Sequence, residues 1–220
     1  MGQGFRQGYI VLGMKGKTKA STRDKWSQDL DNVWDEIAPV MRKQKGFLGV
    51  KALWNIANNQ EMLLLAYWER LADRLAYENS VAGGLRARME TILQGMPSRP
   101  KYRMIRDTRV ELSDIKGGHL VTSLTATSRA SSPAEFEHDL GKVWDRPGRI
   151  DASHTDSPFL GAQVIWSIDG TREACLLTFW RSLEKQSTHE TTAPFQTGAK
   201  FQEILEPPIV HSQYVIIKSV

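Results

Sequence analysis

The residues best suited to chemistry lie late in the chain, where Phe179-Trp180-Arg181-Ser182 is followed within ten residues by His189. An imidazole titrates near neutral pH, so His189 can transfer a proton or ligate iron; it can equally be a helix residue satisfied by one hydrogen bond. Trp180, with Trp54, Trp68 and Trp166, offers the flat apolar surface that lines a pocket for a planar aromatic molecule, and the same strand positions suit core packing. Tyr77 can donate a hydrogen bond to a substrate oxygen or pack at the surface, and Arg181 can orient an anionic group. His119 and His211 fall at or near strand ends and read as sheet-edge residues. His138 belongs to a charged stretch, and His154 to a polar loop. No His-x-x-x-His or Cys-x-x-Cys spacing is present, so no metal ligand set is expected. The carboxylates form no catalytic pair: Glu61 and Glu173 follow turns, and Glu78 and Glu190 recur on a helix. No glycine-rich phosphate loop is found either.

These residues belong to a repeat. Gly46-Phe47-Leu48-Gly49 returns 112 residues later as Pro158-Phe159-Leu160-Gly161. The same offset places Trp54 on Trp166, Glu61 on Glu173, Trp68 on Trp180, Glu78 on Glu190, Ile92-Leu93 on Ile204-Leu205 and Tyr102 on Tyr214, without a gap. It also sets Tyr77 against His189, so the copies differ at the leading candidate. Upstream, Leu30–Trp34 and Leu140–Trp144 match at an offset of 110. The second copy is Gly-, Pro- and Asp-rich over 145–158, where the first is more helical. Self-similarity at this period means two units of one supersecondary design. The expected modules are 1–112 and 118–220, joined where Ser113, Asp114, Gly117 and Gly118 punctuate the chain.

Each module reads in the order βαββαβ. Strands are expected at 8–17, 47–55, 61–68 and 101–112, with an amphipathic helix at 22–43 capped near Ser21-Thr22. A helical stretch at 71–94 should break at Gly83-Gly84. The second copy repeats this with strands at 119–127, 159–168, 172–181 and 211–220 and helices at 133–144 and 183–205, the latter interrupted near Pro194. Helices cover one face of such a sheet and leave the other to be buried. Two copies in one chain bury those faces against each other and pair their open edges. The fold class is therefore α+β: tandem ferredoxin-like modules forming a dimeric α/β-barrel-type architecture within one chain.

Composition narrows the partners. At 40% hydrophobic and 25% charged, with seven Trp, seven Phe and five Tyr, the chain is that of a folded protein. A net charge of +4, with basic residues mixed among acidic ones beyond the N-terminal stretch, reads as a solvated surface rather than a nucleic-acid site. No apolar run approaches the roughly 20 residues of a membrane span, and no signal-peptide core is seen. The single cysteine, Cys175, lies in an apolar run and reads as an inert buried thiol, which fits a cytoplasmic location.

The stretch 179–182, His189, and Thr192-Ala193-Pro194-Phe195 resembles the antibiotic biosynthesis monooxygenase-like (ABM) family of dimeric α/β-barrel proteins, as does the Phe-Leu-Gly opening of the middle strand. The first copy keeps Tyr67-Trp68-Glu69-Arg70 at the matching place. The resemblance implies a cofactor-independent monooxygenase or related enzyme acting on a planar aromatic or polycyclic substrate. His189 and Trp180 would then be catalytic, with Trp166, Trp68, Tyr77 and Arg181 binding substrate. It also implies two alternatives: a haem-binding or haem-degrading protein, and a non-catalytic small-ligand-binding or scaffold protein. The haem-degrading branch uses a Trp, a His and a first-strand Asn. Trp180 and His189 match the first two, but 9–13 and 120–124 supply no Asn. In the chlorite dismutase type a proximal His of the C-terminal module holds haem, a role open to His189 or His211. No cofactor is expected on the first reading. Because one chain carries both modules, a monomer or a homodimer is compatible with the fold.

Overall fold

Both faces of the middle strands carry apolar side chains, a pattern that demands cover on two sides. A computed structural model describes residues 8–108, 111–144, 158–182 and 199–220. The first half runs β1 (Ile10–Thr18), α1 (Arg23–Arg42), β2 (Phe47–Asn55), β3 (Glu61–Trp68), α2 (Leu71–Ser80), α3 (Ala82–Glu90), β4 (Leu93–Ser98) and β5 (Lys101–Asp107). A short 3-10 turn, Leu112–Asp114, leads to β6 (Leu120–Ser128), α4 (Pro133–Trp144), β7 (Phe159–Ser167), β8 (Glu173–Trp180) and β9 (Leu205–Ser219). Thr22 caps α1 by accepting a hydrogen bond from the Lys25 amide at 3.2 Å, and Trp26, Leu30, Val33, Trp34, Ile37 and Met41 form its buried stripe.

The strand pairings close on themselves. The order is β3-β2-β9-β6-β8-β7-β5-β1, and β1 pairs back onto β3. Within this ring β5-β1-β3-β2 and β9-β6-β8-β7 are two runs of ferredoxin-like order, joined edge to edge at β5/β7 and β2/β9. All pairings are antiparallel. β3 occupies one edge of β1 throughout, so β5 and β4 share the other, β5 along Ile10–Leu12 and β4 along Lys15–Thr18. β9 does the work of both in the second half: Leu205 pairs with Ser128 as Leu93 pairs with Thr18.

Period-two alternation then sorts the side chains. Val11, Leu53, Leu65, Tyr67, Met104, Val121, Phe179 and Ile216 point into the ring and form one buried cluster. Trp26, Leu30, Trp54 and Trp68 form a second cluster under α1–α3, and Phe136, Leu140, Trp166, Trp180 and Phe201 a third under α4. The seams carry crossed polar pairs. Tyr102 on β5 donates its hydroxyl to Glu173 on β8, and Tyr214 on β9 donates to Glu61 on β3 at 3.1 Å. The two tyrosines and the two glutamates are the residues that recur 112 positions apart.

The Phe-Leu-Gly signature has a backbone cause. Phe47 faces Trp68 and Gly49 faces Tyr67, so Leu48 is the extra residue of a bulge; Phe159 and Gly161 repeat it against Trp180 and Phe179. Gly49 and Gly161 have φ of +154° and +146°, and a Cβ on Gly49 would lie 2.5 Å from the Val220 carbonyl oxygen.

Several expectations need correction. The helix expected over 71–94 ends at Glu90 and breaks at Val81 rather than at Gly83-Gly84, which lie inside α3. Leu93 instead starts β4, because its side chain fills the cluster under α1 and its backbone completes the free edge of β1. The final strand likewise begins at Leu205 and not 211, and residues 199–202 are helical. The barrel expectation narrows to a hydrogen-bonded ring of strands around a buried apolar cluster, with helices outside. The Gly/Pro/Asp-rich stretch lies outside the described residues over 145–157, and so does 183–198 of the second helical region.

Candidate functional site

Even-numbered positions of β3 face the helices, so Trp68 ends that strand against α2 and α3 rather than inside the ring. Its ring meets Phe47 edge-on, with centroids 5.3 Å apart, and Tyr77 of α2 lies over it at 4.9 Å. Beside the pair is an apolar pocket of about 80 Å³ whose walls include Leu12, Met14, Trp34, Val50 and Met89. The Trp68 indole N–H is buried and has no hydrogen-bond partner among the described residues. Such an orphan donor costs about 1–3 kcal/mol, which a ligand oxygen would recover.

A charged network stands at the edge of this pocket. Glu78 takes Arg74 on one oxygen and Arg86 on the other, each at 2.7 Å, and Arg86 lines the pocket with Tyr77. Burial alone would raise the Glu78 carboxyl, but the Arg86 hydrogen bond and the Arg74 charge hold it below its usual value. Burial raises the Tyr77 hydroxyl against the opposing charges of Arg86 and Arg74, so the phenol is neutral and a donor at pH 7. Sequence reasoning passed over Arg74 and Arg86. Their signal was helical spacing: Arg74 and Glu78 are four residues apart on one face.

The second half reproduces part of this arrangement. Phe159 meets Trp180 edge-on at 5.0 Å and 65°, the same interplanar angle as Phe47 and Trp68. Trp180 is buried and donates its indole N–H to the Thr178 hydroxyl at 3.0 Å, so here the donor is satisfied. His189, the residue matching Tyr77, lies outside the described residues, as do Glu190 and His154. Trp166 shares the outer layer with Trp180, lies tilted against Phe136 with centroids 4.6 Å apart, and borders a shallow cleft of about 310 Å³ with Arg103 and Arg172. Arg181 is exposed. The structure therefore joins Trp68 to Tyr77 and places Trp166 and Trp180 in one layer. It separates the two halves: the four repeated tryptophans turn outward, and none enters the ring, so one shared tryptophan-lined cavity does not form.

Cys175 is buried inside the ring, as its apolar run predicts, and burial pushes its thiol up to about 12. Among the described residues no three His, Cys, Asp or Glu side chains are grouped to hold a metal ion. His138 and His211 are exposed, and His119 accepts from the Lys116 amide at 3.2 Å. None of these three lines the Trp68 pocket. No helix among them is long and apolar enough to cross a membrane.

No family model and no curated protein matches the chain. Solved structures share its fold. A "Putative monooxygenase" from Fusobacterium nucleatum subsp. nucleatum ATCC 25586 aligns with a TM-score of 0.68 at 9% identity, over 98% of this chain and 95% of that one. A "putative monooxygenase" from Lactobacillus acidophilus NCFM gives 0.66 at 10% identity, over 97% and 96%. An "anthrone oxidase-like protein" gives 0.60 at 10%, over 98% and 93%. The chain thus shares its ferredoxin-like fold with these structures over nearly its whole length. At these identities the likeness is one of fold, and activity does not travel with it.

Proposed function

We propose that the chain is a cofactor-independent oxygenase whose substrate is a planar aromatic molecule held between the sheet and the helices, with the reacting site in the second module, 118–220. The observation that carries this reading is the Trp68–Tyr77 contact at 4.9 Å beside an apolar pocket. The 112-residue register makes Trp180 and His189 the counterparts of that pair, with an imidazole in place of a phenol. Of the two, only an imidazole can take up a proton at neutral pH, so the substitution turns a binding contact into a base.

In the proposed reaction His189 removes a proton from an activated ring CH₂, as in anthrone. The resulting carbanion reacts with O₂, and the CH₂ group and O₂ become C=O and water. Trp180 and Trp166 pack the ring system, and Arg181 steadies the developing oxyanion. Trp68 and Tyr77 bind a ligand in the first module, 1–112. Its pocket of about 80 Å³ is about half of the ~150 Å³ that accepts a benzene ring, so α2 and α3 must give way to admit one. One chain supplies both halves of the ring, so a monomer is sufficient.

Oxygen uptake with anthrone tests the reading. His189→Ala should lower turnover by about 10²-fold or more while leaving the urea midpoint unchanged. Undiminished turnover in that variant would remove His189 from the mechanism, and no uptake in the parent protein would remove the activity.

A further inference from the structure

Inside the ring, at the end where β8 begins and β4 gives way to β5, the packed core stops short and leaves a mouth of about 470 Å³. That volume falls within the ~300–1,000 Å³ range of small-molecule sites. It lies on the opposite face of β3 from Trp68, since Leu65 points into it while Trp68 points to the helices. Leu65, Ile165, Cys175 and Leu177 line its apolar part, and Lys15, Arg99, Ser123, Tyr102, Glu173 and Tyr214 its polar part.

The hydrogen-bonding inventory of this mouth is unbalanced. Its carboxylates, Glu173 and Asp169, stand on the second-half wall and each takes hydroxyl donors on one oxygen: Glu173 from Tyr102, and Asp169 from Ser167 and Thr171. Glu61, behind Tyr214, takes both that hydroxyl and the Asn55 amide at 3.1 Å. Burial raises both tyrosine hydroxyls far above their usual value, with Glu173 and Glu61 adding to the effect, so each stays protonated and bound to its carboxylate. Donors with spare capacity stand on the opposite wall and at Ser123. Lys15 stands 44% exposed in a loose 3.4 Å pair with Glu61, and the Arg99 guanidinium is 29% exposed with one nitrogen on Glu90 at 3.0 Å. Ser123 is only 7% exposed, and its hydroxyl has no hydrogen-bond partner among the described residues.

The walls are unlike in charge. Lys15 has Thr125 at its matching place on β6, and both line the mouth, so the cations stand on the first-half wall alone. We infer that the mouth binds a compact apolar acid, its carboxylate against Lys15, Arg99 and Ser123 and its hydrocarbon body on Leu65, Ile165 and Leu177. Charge-assisted hydrogen bonds hold the head, and burial of the apolar body supplies the remaining affinity. The site shares no residue with the proposed oxygenase centre.

Titration calorimetry with 2-naphthoate and its neutral relative 2-naphthalenemethanol tests the inference on the whole protein. The acid should bind one-to-one and at least tenfold more tightly than the alcohol. Lys15→Met and Arg99→Met, both at the solvent edge, should each weaken the acid about five- to tenfold and leave the alcohol unchanged. Ser123→Phe should abolish binding of both. Because a phenyl ring there risks the fold, Ser123→Ala is the milder companion: it should weaken the acid and leave the alcohol unchanged. Equal binding of acid and alcohol, indifference to both charge substitutions, or no binding at millimolar ligand would each overturn the inference. His189→Ala should bind 2-naphthoate as the parent does, which separates this result from that of the oxygenase assay.

Discussion

Lys51 offers the sharpest test of how the ring is closed. It points inward from β2, is 2% exposed, and its ammonium donates to the carbonyls of Leu112 at 2.7 Å and Ile115 at 2.8 Å, in the segment that joins the two halves. Burial lowers its pKa from 10.5 to about 8. The folded state therefore releases this proton before the unfolded state does. Below pH 8 both states are protonated and the cost of burying the charge is borne in full. Between pH 8 and 10.5 the unfolded chain holds more protons, so stability rises with pH. With these two values the gain over pH 7 is about 1.4 kcal/mol at pH 9 and about 2.5 kcal/mol at pH 10. Ionisation of unfolded tyrosines near pH 10 acts in the opposite direction, so the comparison must be with Lys51→Met, in which the tyrosine contribution is common and cancels. Urea unfolding of both proteins at pH 7, 8, 9 and 10 gives the difference directly. If the wild type gains nothing on the variant between pH 7 and pH 10, Lys51 is hydrated in the folded protein and the closed end of the ring is open to water.

Two further perturbations probe the seams and the bulges. Tyr102→Phe and Glu173→Gln remove the two ends of one crossed pair; in a double-mutant cycle they should couple by about 1–2 kcal/mol, measured by chemical unfolding, and additive effects would mean that the pair does not form. Gly49→Ala should cost about 1–3 kcal/mol, because it strains a φ of +154° and drives a Cβ to 2.5 Å from the Val220 oxygen; an unchanged thermal midpoint would argue against the bulge.

The sequence carried the middle hairpin of the first half almost to the residue, since β2 and β3 span 47–55 and 61–68 as expected. Alternation that is apolar on both faces, bounded by a turn, leaves little freedom. The segments after the helices were misread for an energetic reason. Leu93 and Leu205 continue a helix-like run of composition, and only the vacant edge of the preceding first strand draws them into β4 and β9. Helical spacing likewise says nothing of Val81, where α2 and α3 meet with no side-chain cap. Of the site, the register displayed Tyr102 with Tyr214 and Glu61 with Glu173 as equivalents. Equivalence names counterparts and not contacts. That each tyrosine reaches the other half's glutamate follows only when β5 crosses to β7 and β9 to β2.

That crossing also explains why two copies in one chain differ from two chains. In a symmetric pair every inward residue meets its own twin across the axis, so a mouth on that axis carries each charge twice or not at all. Here the matched positions have diverged: Lys15 faces Thr125's wall, Leu63 answers to Cys175, and Pro100 to Ser212. At the closed end Lys51 holds the linking segment, while its counterpart Gln163 accepts the Tyr67 hydroxyl at 3.1 Å instead. A second ammonium at position 163 would be buried without the linker carbonyls that satisfy the first, at a cost of several kcal/mol. Fusion into one chain removes that constraint. It lets one wall of the mouth carry cations and the other carboxylates, and it lets His189 take the place that Tyr77 holds in the first copy.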